Sequence, residues 1–235
     1  MLEKMIKKAI ILAGGKGERL RPLTYETPKP LLEFRGKMMI EHIFEMLKRE
    51  GIIDVTLTLC YLPEVFKERL GDGSKFGLNI NYVVENEPLG TAGFLRSMPL
   101  TETTFVINSD VFFTNFDVKT FLAKHKKFTA EGAYATLALA YVENTQGLGT
   151  VKLNGERIED FIEKEQVSNY VNAGHYLLEP SVMKIIKDLS LDKKKIMFET
   201  DIFPKLAEKG KLFAYLSDAE WIHIRDLEAY EKLKD

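Results

Sequence analysis

The chain has 235 residues, 45% of them hydrophobic, so it can bury a sizeable core as one large domain or two small ones. Its 33 Lys and Arg residues are balanced by 35 Asp and Glu residues, and the formal net charge of -2 excludes an overall positive field for nucleic acid or an anionic membrane. The single cysteine, Cys60, excludes an intramolecular disulfide and a thiolate zinc cluster, as is typical of a reducing compartment.

The first stretch, MLEKMIKKAIILAGG, has too short an apolar run for a membrane span, and it differs from a signal peptide in its acidic residue and glycine-rich exit. We therefore expect a cytoplasmic protein with neither a membrane nor a nucleic acid as partner. Next along the chain, apolar runs with β propensity alternate with helical patterns: AIIL, a helix over Met39–Leu47 ended by Gly51, DVTLTL, INYVV and TFVIN. This alternation predicts parallel βα units with helices on both faces of a sheet.

After about residue 130 the pattern changes to longer β-like runs with fewer helices between them. These runs are AYATLALAYV, LGTVKL and YVNAGHYLLE. We therefore predict an α/β fold with a mostly parallel central sheet and a partly antiparallel second lobe.

A glycine-rich connection, AGGKGERLRPLTYETPKP, leaves the first predicted strand. Gly14, Gly15 and Gly17 allow a sharp turn whose backbone amides can bind a phosphate. The stretch is not a dinucleotide fingerprint, because Leu20 stands at the third glycine position, and it lacks the G-K-[ST] ending of a P-loop. Taken alone, the glycines are equally compatible with a structural turn.

The cationic residues of this connection favour a phosphate ligand. Pro28 and Pro30 stiffen the backbone around Lys29, so its side chain loses little entropy on binding. Arg19 and Arg21 follow the glycines, and a guanidinium can bridge phosphate oxygens in a bidentate manner. A surface ion pair is the alternative, and it suits Arg21 better than Arg19.

A buried strand ending in Asp110 is predicted from FVINSD. In open α/β sheets ligands bind beyond the carboxyl ends of the strands, where the glycine-rich connection also emerges. One carboxylate beside a polyphosphate indicates Mg²⁺, which proteins hold with one or two carboxylates plus phosphate oxygens. The alternative for Asp110 is a helix N-cap.

In order, the motifs GGKGERLRPLT…PKP, EPLGTAG, SD, EK, NAG and IFPKLAEKGKL resemble the sugar-1-phosphate nucleotidylyltransferases over nearly the whole chain. PLGTAG looks most like the mannose-1-phosphate guanylyltransferases, which commonly carry a further C-terminal β-helix domain that this chain stops before. The resemblance implies a Rossmann-like nucleotidyltransferase sandwich in one domain, 1–235. Residues 1–130 would be the nucleotide-binding half and residues 131–235 the sugar-phosphate-binding half.

The resemblance also implies the reaction, a nucleotidylyl transfer from a nucleoside triphosphate to a sugar 1-phosphate that yields a nucleotide sugar and pyrophosphate. The sugar phosphate is largely dianionic, with a second pKa of about 6, so it can attack the α-phosphorus without a general base. The protein then has to position the two reactants and to neutralise the charge that develops on the phosphate oxygens. By resemblance, Arg19 would hold the leaving phosphates, Lys29 the α-phosphate and Asp110 the metal.

The remaining binding residues also follow from the resemblance. On the sugar side, Lys164 would hold the phosphate, and Glu163, Asn172 and Gly149 would contact the sugar, although EK could be an exposed acid–base pair and NAG a turn. Residues 12–14 would contact the nucleotide through the backbone, and Gly90 would let the base come close. The implied nucleotide-binding set is Leu12, Ala13, Gly14, Gly15, Gly17, Glu85, Pro88, Gly90 and Thr91.

Glu85 indicates which nucleobase the site prefers, because relatives that use uridine or thymidine nucleotides often carry glutamine at this position. An ionised carboxylate only accepts hydrogen bonds, and guanine offers two adjacent donors, whereas uracil and thymine flank their single donor with carbonyls. A base that leaves a buried polar group of the site unpaired binds much more weakly, so such a group discriminates strongly between bases. We therefore predict GTP, with mannose 1-phosphate as the preferred acceptor. The choice of hexose and a homo-oligomeric state stay open.

The chain departs from the family where WIHIRDLEAY replaces W-x-D-I-G-T-P-E-x-Y. His223 stands at the position of the second metal-binding aspartate, and Asp226 follows three residues later, so the second ligand is either of these or neither. A histidine suits Mn²⁺ or Co²⁺ better than Mg²⁺. Asp226 alternatively caps the helix that begins at LEAYEKL.

Three other functions remain open from the sequence. The chain could transfer a thymidylyl or uridylyl group to glucose 1-phosphate, or act as a cytidylyltransferase for an alcohol phosphate. It could also bind nucleotide sugar without turnover, as a regulatory subunit.

Overall fold

The computed structural model describes residues 6–163 and 165–234. The strands are β1 Lys8–Leu12, β2 Glu33–Phe34, β3 Lys37–Met38, β4 Asp54–Leu59, β5 Asn79–Val84, β6 Thr104–Asn108, β7 Val111–Phe113, β8 Ala135–Tyr141, β9 Gly149–Asn154, β10 Arg157–Glu163, β11 Tyr170–Leu178, β12 Leu212–Ser217 and β13 Trp221–His223. The helices are α1 Met39–Arg49, α2 Pro63–Leu70, α3 Val118–Ala130, α4 Met183–Leu189, α5 Phe203–Glu208 and α6 Leu227–Leu233, and a π-helical turn, Phe198–Ile202, directly precedes α5.

The chain forms two compact units. Unit 1 contains residues 6–88, Ile107–Phe113 and 221–234, and unit 2 contains Leu89–Val106 and Thr114–Glu220. The predicted division into halves at residue 130 stays a prediction. Among the described residues, no helix is long and apolar enough to cross a membrane.

Unit 1 is built on parallel strands. β1 pairs in parallel with β4, and β4 with β5. Residues 9–11 of β1 are buried in succession, so the strand is apolar on both faces, as its sequence predicts. Helix α1 buries a stripe of six apolar residues, and Gly51, with φ 72°, follows its last turn in the left-handed conformation.

Unit 2 contains a mixed sheet. β8 pairs with β11 and β9 with β10 in antiparallel fashion, whereas β12 runs parallel to β8. The predicted α/β fold, with mostly parallel strands first and a partly antiparallel region after residue 130, is therefore confirmed.

An aromatic cluster fixes the π-helical turn and α5 in unit 2. The rings of Phe198 and Phe203 stack 5.4 Å apart, and Tyr176 of β11 packs edge-on against Phe203 with centroids 5.0 Å apart. All three side chains are fully buried. Burial of one such side chain stabilises a fold by roughly 1.5–3 kcal/mol, so this cluster is a rigid support for the residues around it.

Candidate functional site

In unit 1, adjacent strand ends bring three chain segments together. The Ala13 N–H donates to the Thr58 carbonyl over 3.0 Å, and the Glu85 N–H donates to the Leu59 carbonyl over 2.8 Å. These bonds continue the ladders β1–β4 and β4–β5 past their last paired residues. The glycine-rich connection, Cys60 and Glu85 therefore leave the sheet side by side at its carboxyl edge, where α/β folds bind ligands.

The three glycines of the connection differ in their surroundings. At Gly14, a Cβ would lie 3.4 Å from the Cβ of Cys60, whereas at Gly15 no heavy atom of the described residues would lie within 4 Å. Gly17 has φ 62°, and a Cβ there would lie 3.0 Å from a Thr24 methyl and 3.1 Å from the Lys29 Cβ. Of these three, Gly17 is the one whose backbone conformation demands glycine.

Lys29 and Asp110 form an ion pair in unit 1, with Lys29 Nζ 2.8 Å from Asp110 Oδ2. The Lys29 side chain is only 10% exposed, and it starts from a single helical turn, Lys29–Leu31, that Pro28 precedes and Pro30 stiffens. Asp110 lies between β6 and β7 rather than at a helix start, so the alternative of a helix N-cap is wrong.

His223 joins this pair through the two-stranded ribbon of β7 and β13, in which His223 is opposite Val111. Its Nε2 lies 3.9 Å from Asp110 Oδ2. Burial raises the pKa of Asp110, but the charges of Lys29 and His223 outweigh burial and hold that pKa below its usual value. Burial lowers the pKa of His223, and Lys29 adds to this effect while Asp110 opposes it. At neutral pH the site therefore holds a carboxylate and a neutral imidazole.

The two arginines after the glycines differ in role. Arg21 pairs with Glu18 over 3.4 Å at the surface, as the alternative of a surface ion pair predicts. Arg19 is exposed in the turn Glu18–Leu20, and its charge acts on both His223 and Asp226. Arg19 is therefore a cation at the edge of the Asp110 site.

Asp226 is the N-cap of α6. Its Oδ1 accepts the Ala229 N–H over 3.0 Å, and its Oδ2 accepts Arg225 Nε–H over 2.9 Å. The cap expected from the sequence is confirmed. Because both carboxylate oxygens have local partners, His223 is the stronger candidate for a second metal ligand.

Cys60 is a further residue of this edge, which sequence reasoning did not include in the candidate site. It is partly exposed, and its pKa is raised by burial and by the nearby charges of Glu85 and Glu87, with Lys16 opposing them. Glu85 is partly buried, whereas Pro88, at the end of this stretch of unit 1, is exposed. The signal that could have located Cys60 was its place directly after a buried strand.

In unit 2, neighbouring strands bring three of the predicted sugar-binding residues together. Glu163 of β10 is opposite Gly149 of β9, and a Cβ on Gly149 would lie 2.7 Å from Glu163 Oε2. Thr150 of β9 is opposite Val171 of β11, which places Asn172 one step away, next to Gly149. The side chains of Glu163 and Asn172 are partly exposed. Lys164 lies outside the described residues.

Asn172 is held by its own strand. Its Nδ2 donates to the Tyr176 hydroxyl over 3.0 Å, and its Oδ1 accepts the Gly174 N–H over 3.1 Å. The pairing of β11 with β8 is irregular between Asn172 and Tyr176, and Gly174 has φ 74°. The NAG motif is therefore a bulged strand and not a turn, so that alternative is wrong. Such a bulge re-aims a side chain.

Gly90 and Thr91 also belong to unit 2. Gly90 has φ 91°, and a Cβ there would lie 2.3 Å from the Ile196 carbonyl oxygen, so close packing against Ile196 demands this glycine. The Thr91 hydroxyl donates to Glu199 Oε2 over 2.7 Å. Sequence reasoning missed Glu199, although the run FETD that contains it directly precedes the IFPKLAEKGKL motif.

A metal ion would need ligands beyond the protein. Within residues 6–163 and 165–234, no group of three or more His, Cys, Asp or Glu side chains could hold one. Asp110 offers an ionised oxygen and His223 a nitrogen 3.9 Å from it. This donor set fits a divalent ion whose coordination is completed by phosphate oxygens and water.

Comparisons with known proteins agree on one family. The family profile described as nucleotidyl transferase matches residues 8–234. The mannose-1-phosphate guanyltransferases of Yarrowia lipolytica and Schizosaccharomyces pombe are each 39% identical to the chain, over 92% of its length and 60% of theirs. The chain thus spans about 60% of the length of these curated relatives. Among solved structures, a candidate glucose-1-phosphate thymidylyltransferase from Bacillus anthracis has a TM-score of 0.83 at 27% identity, covering 97% of this chain and 93% of that one.

Proposed function

Because the chain belongs to the nucleotidyl transferase family, we propose that it transfers a nucleotidyl group from a nucleoside triphosphate to a sugar 1-phosphate, with GTP and mannose 1-phosphate preferred. The observation that carries this proposal is the pairing of Lys29 with Asp110, at 2.8 Å, in the unit whose glycine-rich connection leaves β1. Further support comes from the two relatives described above, which are named mannose-1-phosphate guanyltransferases.

In the proposed reaction, an oxygen of the sugar phosphate forms a bond to the α-phosphorus of the triphosphate. The bond from that phosphorus to the oxygen bridging to the β-phosphate breaks, and pyrophosphate leaves with its electron pair. No proton has to be removed from the dianionic nucleophile. The chain must therefore hold the reactants in line and neutralise the charge that develops on the phosphate oxygens.

The Lys29 ammonium would neutralise the α-phosphate, and its stiffened backbone limits the entropy lost in doing so. Arg19, exposed at the edge of the Asp110 site, would hold the leaving phosphates through a bidentate guanidinium. Asp110 and His223 would hold the divalent ion, Mg²⁺ or the Mn²⁺ and Co²⁺ that a nitrogen ligand suits. When bound, such an ion stabilises negative charge on phosphoryl oxygens.

Residues 12–15, Gly17 and Cys60 would form the wall against which the base and ribose lie, with Pro88, Gly90 and Thr91 further parts of the nucleotide site. The Glu85 carboxylate would accept the two adjacent donors of guanine. This arrangement predicts that Glu85→Gln weakens the preference for GTP over UTP, because an amide can pair with a base that presents both donors and acceptors.

Gly149, Glu163 and Asn172 would bind the sugar 1-phosphate, with Lys164 on its phosphate. Gly149 would keep the space beside the Glu163 carboxylate free for the sugar, because a Cβ there would lie 2.7 Å from Glu163 Oε2. The anchored Asn172 side chain would present its amide to a sugar hydroxyl without losing rotamer freedom. We also propose that the protein works in the cytoplasm and that its partners are these two small molecules.

The test is pyrophosphate release by the purified protein with Mg²⁺ or Mn²⁺, crossing GTP, dTTP, UTP and CTP with mannose 1-phosphate and glucose 1-phosphate. We expect turnover with GTP and mannose 1-phosphate. A preference for dTTP or UTP would contradict the argument from Glu85. Absence of turnover with every pair would contradict the enzyme proposal.

A second measurement separates binding from turnover, because Cys60 is the single cysteine and lies against Gly14. We expect GTP to slow maleimide labelling of Cys60, whereas inorganic phosphate at the same ionic strength does not. The Cys60→Ser variant is the control for labelling at other groups. Protection without turnover would favour the regulatory alternative.

A further inference from the structure

In unit 2, the loop Leu89–Ala92 is attached to residues 196–199 by backbone and side-chain bonds. The Ile196 N–H donates to the Leu89 carbonyl over 2.9 Å, and the Ala92 N–H donates to the Ile196 carbonyl over 2.9 Å. The Phe198 N–H donates to the Thr91 hydroxyl oxygen, also over 2.9 Å. With the bond from Thr91 to Glu199, four hydrogen bonds join two segments that are 108 residues apart at this contact.

The hydroxyl of Thr91 therefore already makes hydrogen bonds within the protein. A hydroxyl has one hydrogen to donate and two lone pairs. Its hydrogen goes to Glu199 Oε2, and one lone pair accepts the Phe198 N–H. In the proposed nucleotide site, Thr91 would therefore hold the backbone of its loop rather than donate its own hydroxyl to the nucleotide.

Glu199 stands on a rigid support. It belongs to the π-helical turn Phe198–Ile202, whose Phe198 ring stacks on Phe203. Asp201 closes the same turn, because its Oδ2 accepts the Met197 N–H over 2.8 Å and its other oxygen pairs with Lys193. Single π-helical turns occur frequently at functional sites. The carboxylate that holds Thr91 is therefore fixed by packing and by hydrogen bonds of the residues beside it.

We propose that Glu199 is a positioning residue for the nucleotide site, acting through Thr91 on the loop Leu89–Ala92. This inference rests on the proposed function, since it takes Gly90 and Thr91 as parts of that site. A hydrogen bond to a carboxylate is stronger than one to a neutral acceptor, and the 2.7 Å between the Thr91 hydroxyl and Glu199 Oε2 is within the range of such bonds. Glu199 fixes the loop before a nucleotide binds, which lowers the entropy cost of binding.

The test compares Glu199→Ala, Glu199→Gln, Thr91→Val and Thr91→Ser, with Glu208→Ala, at the exposed end of α5, as the matched control. For Glu199→Ala and Thr91→Val we expect the KM for the nucleoside triphosphate to rise about tenfold, the effect of losing one charge-assisted hydrogen bond, with kcat within about twofold. Glu199→Gln keeps a hydrogen-bond acceptor and Thr91→Ser keeps a hydroxyl, so we expect both variants to retain most of the nucleotide affinity of the wild type. The control should match the wild type.

A second readout needs neither nucleotide nor turnover. Hydrogen exchange at the Ala92 amide, which bonds to Ile196, should accelerate in Glu199→Ala and Thr91→Val but not in Glu208→Ala. Unchanged exchange, or a lowered Tm with an unchanged nucleotide KM, would overturn the positioning role. A wild-type protein that neither binds nor turns over nucleotide would refute the proposed function, whereas the exchange data would still decide whether Glu199 holds the loop.

Discussion

The ammonium of Lys29 lies 2.8 Å from Oδ2 of Asp110. The carboxylate that we propose as a metal ligand therefore already has a cationic partner, and a metal ion at Asp110 would compete with Lys29 for the same oxygen. We expect the two events to be linked, so that metal binding at Asp110 frees Lys29 to contact the α-phosphate.

Replacing Lys29 by methionine should separate these roles. Turnover should fall about 10²- to 10³-fold, because a preorganised cation for the transition state is lost. Binding of Mn²⁺ to the protein without nucleotide, measured by electron paramagnetic resonance, should become tighter, because Asp110 loses its competing cation.

Lys29→Arg is the control for this change, since it keeps a cation beside Asp110 and should leave Mn²⁺ affinity near that of the wild type. If Mn²⁺ binds Lys29→Met no more tightly than the wild type, the competition between metal and lysine is refuted. Protection of Cys60 by GTP should persist in both variants, since Lys29 is proposed to act on the α-phosphate rather than on the base.

Replacing His223 by aspartate should change the metal preference. An oxygen ligand suits Mg²⁺, whereas a nitrogen ligand suits Mn²⁺ and Co²⁺. We expect the ratio of turnover with Mg²⁺ to turnover with Mn²⁺ to rise, by about tenfold, in His223→Asp.

The direct measurement is calorimetric titration of each metal in the presence of a nonhydrolysable triphosphate. His223→Asn, which has a weak ligand at the same place, should bind both metals less tightly than the wild type. Equal metal affinities in the wild type and in both variants would show that His223 does not contact the ion.

Gly17→Ala and Gly15→Ala form a matched pair. An alanine at position 17 would have to adopt φ 62° with its Cβ about 3 Å from Thr24 and Lys29, whereas position 15 is open among the described residues. We expect Gly17→Ala to lower the free energy of unfolding in urea by about 1–2 kcal/mol. Gly15→Ala should change it by less than about 0.5 kcal/mol. Similar destabilisation by both variants would contradict the distinction between these glycines.

His175 should make stability depend on pH. It is fully buried in β11, and burial lowers its pKa from 6.5 to about 4. The unfolded chain binds a proton at this residue below about pH 6.5 while the folded protein does not, so the free energy of unfolding falls as the pH drops from 6.5 toward 4. For this single group the full loss is about 3 kcal/mol.

Urea unfolding of the wild type and of His175→Phe at several pH values between 4.5 and 6.5 measures the larger part of this loss, since unfolded carboxyl groups titrate mainly below that window. Phenylalanine keeps a ring against Phe105 and Phe116. The variant should show a flatter dependence on pH. Parallel curves for the two proteins would contradict the lowered pKa of His175.

Local patterns in the sequence were sufficient for much of the fold. The strands β1, β4, β5 and β6, the helix α1 with Gly51, and the cap at Asp226 depend on neighbours within a few residues, and the structure confirms them. The resemblance to the sugar-1-phosphate nucleotidylyltransferases is confirmed by the family match and the curated relatives.

The contacts that build the candidate site were harder to predict because they join distant residues. Lys29 and Asp110 are 81 residues apart, and Thr91 and Glu199 are 108 apart. No spacing rule links such positions. The NAG motif was open to a wrong reading for a different reason, since a positive φ at glycine occurs in turns and in strand bulges alike. The roles of the individual site residues remain predictions.

Unit 1 is assembled from three separate stretches of the chain, and Lys29, Asp110 and His223 come from one stretch each. On the ribosome the chain emerges from its N-terminus, so the whole of Thr114–Glu220 is synthesised before His223 appears. Unit 2 can therefore fold during translation before the proposed metal-binding pair of unit 1 is complete. A nascent chain stalled before Trp221 would hold Lys29 and Asp110 but not the histidine.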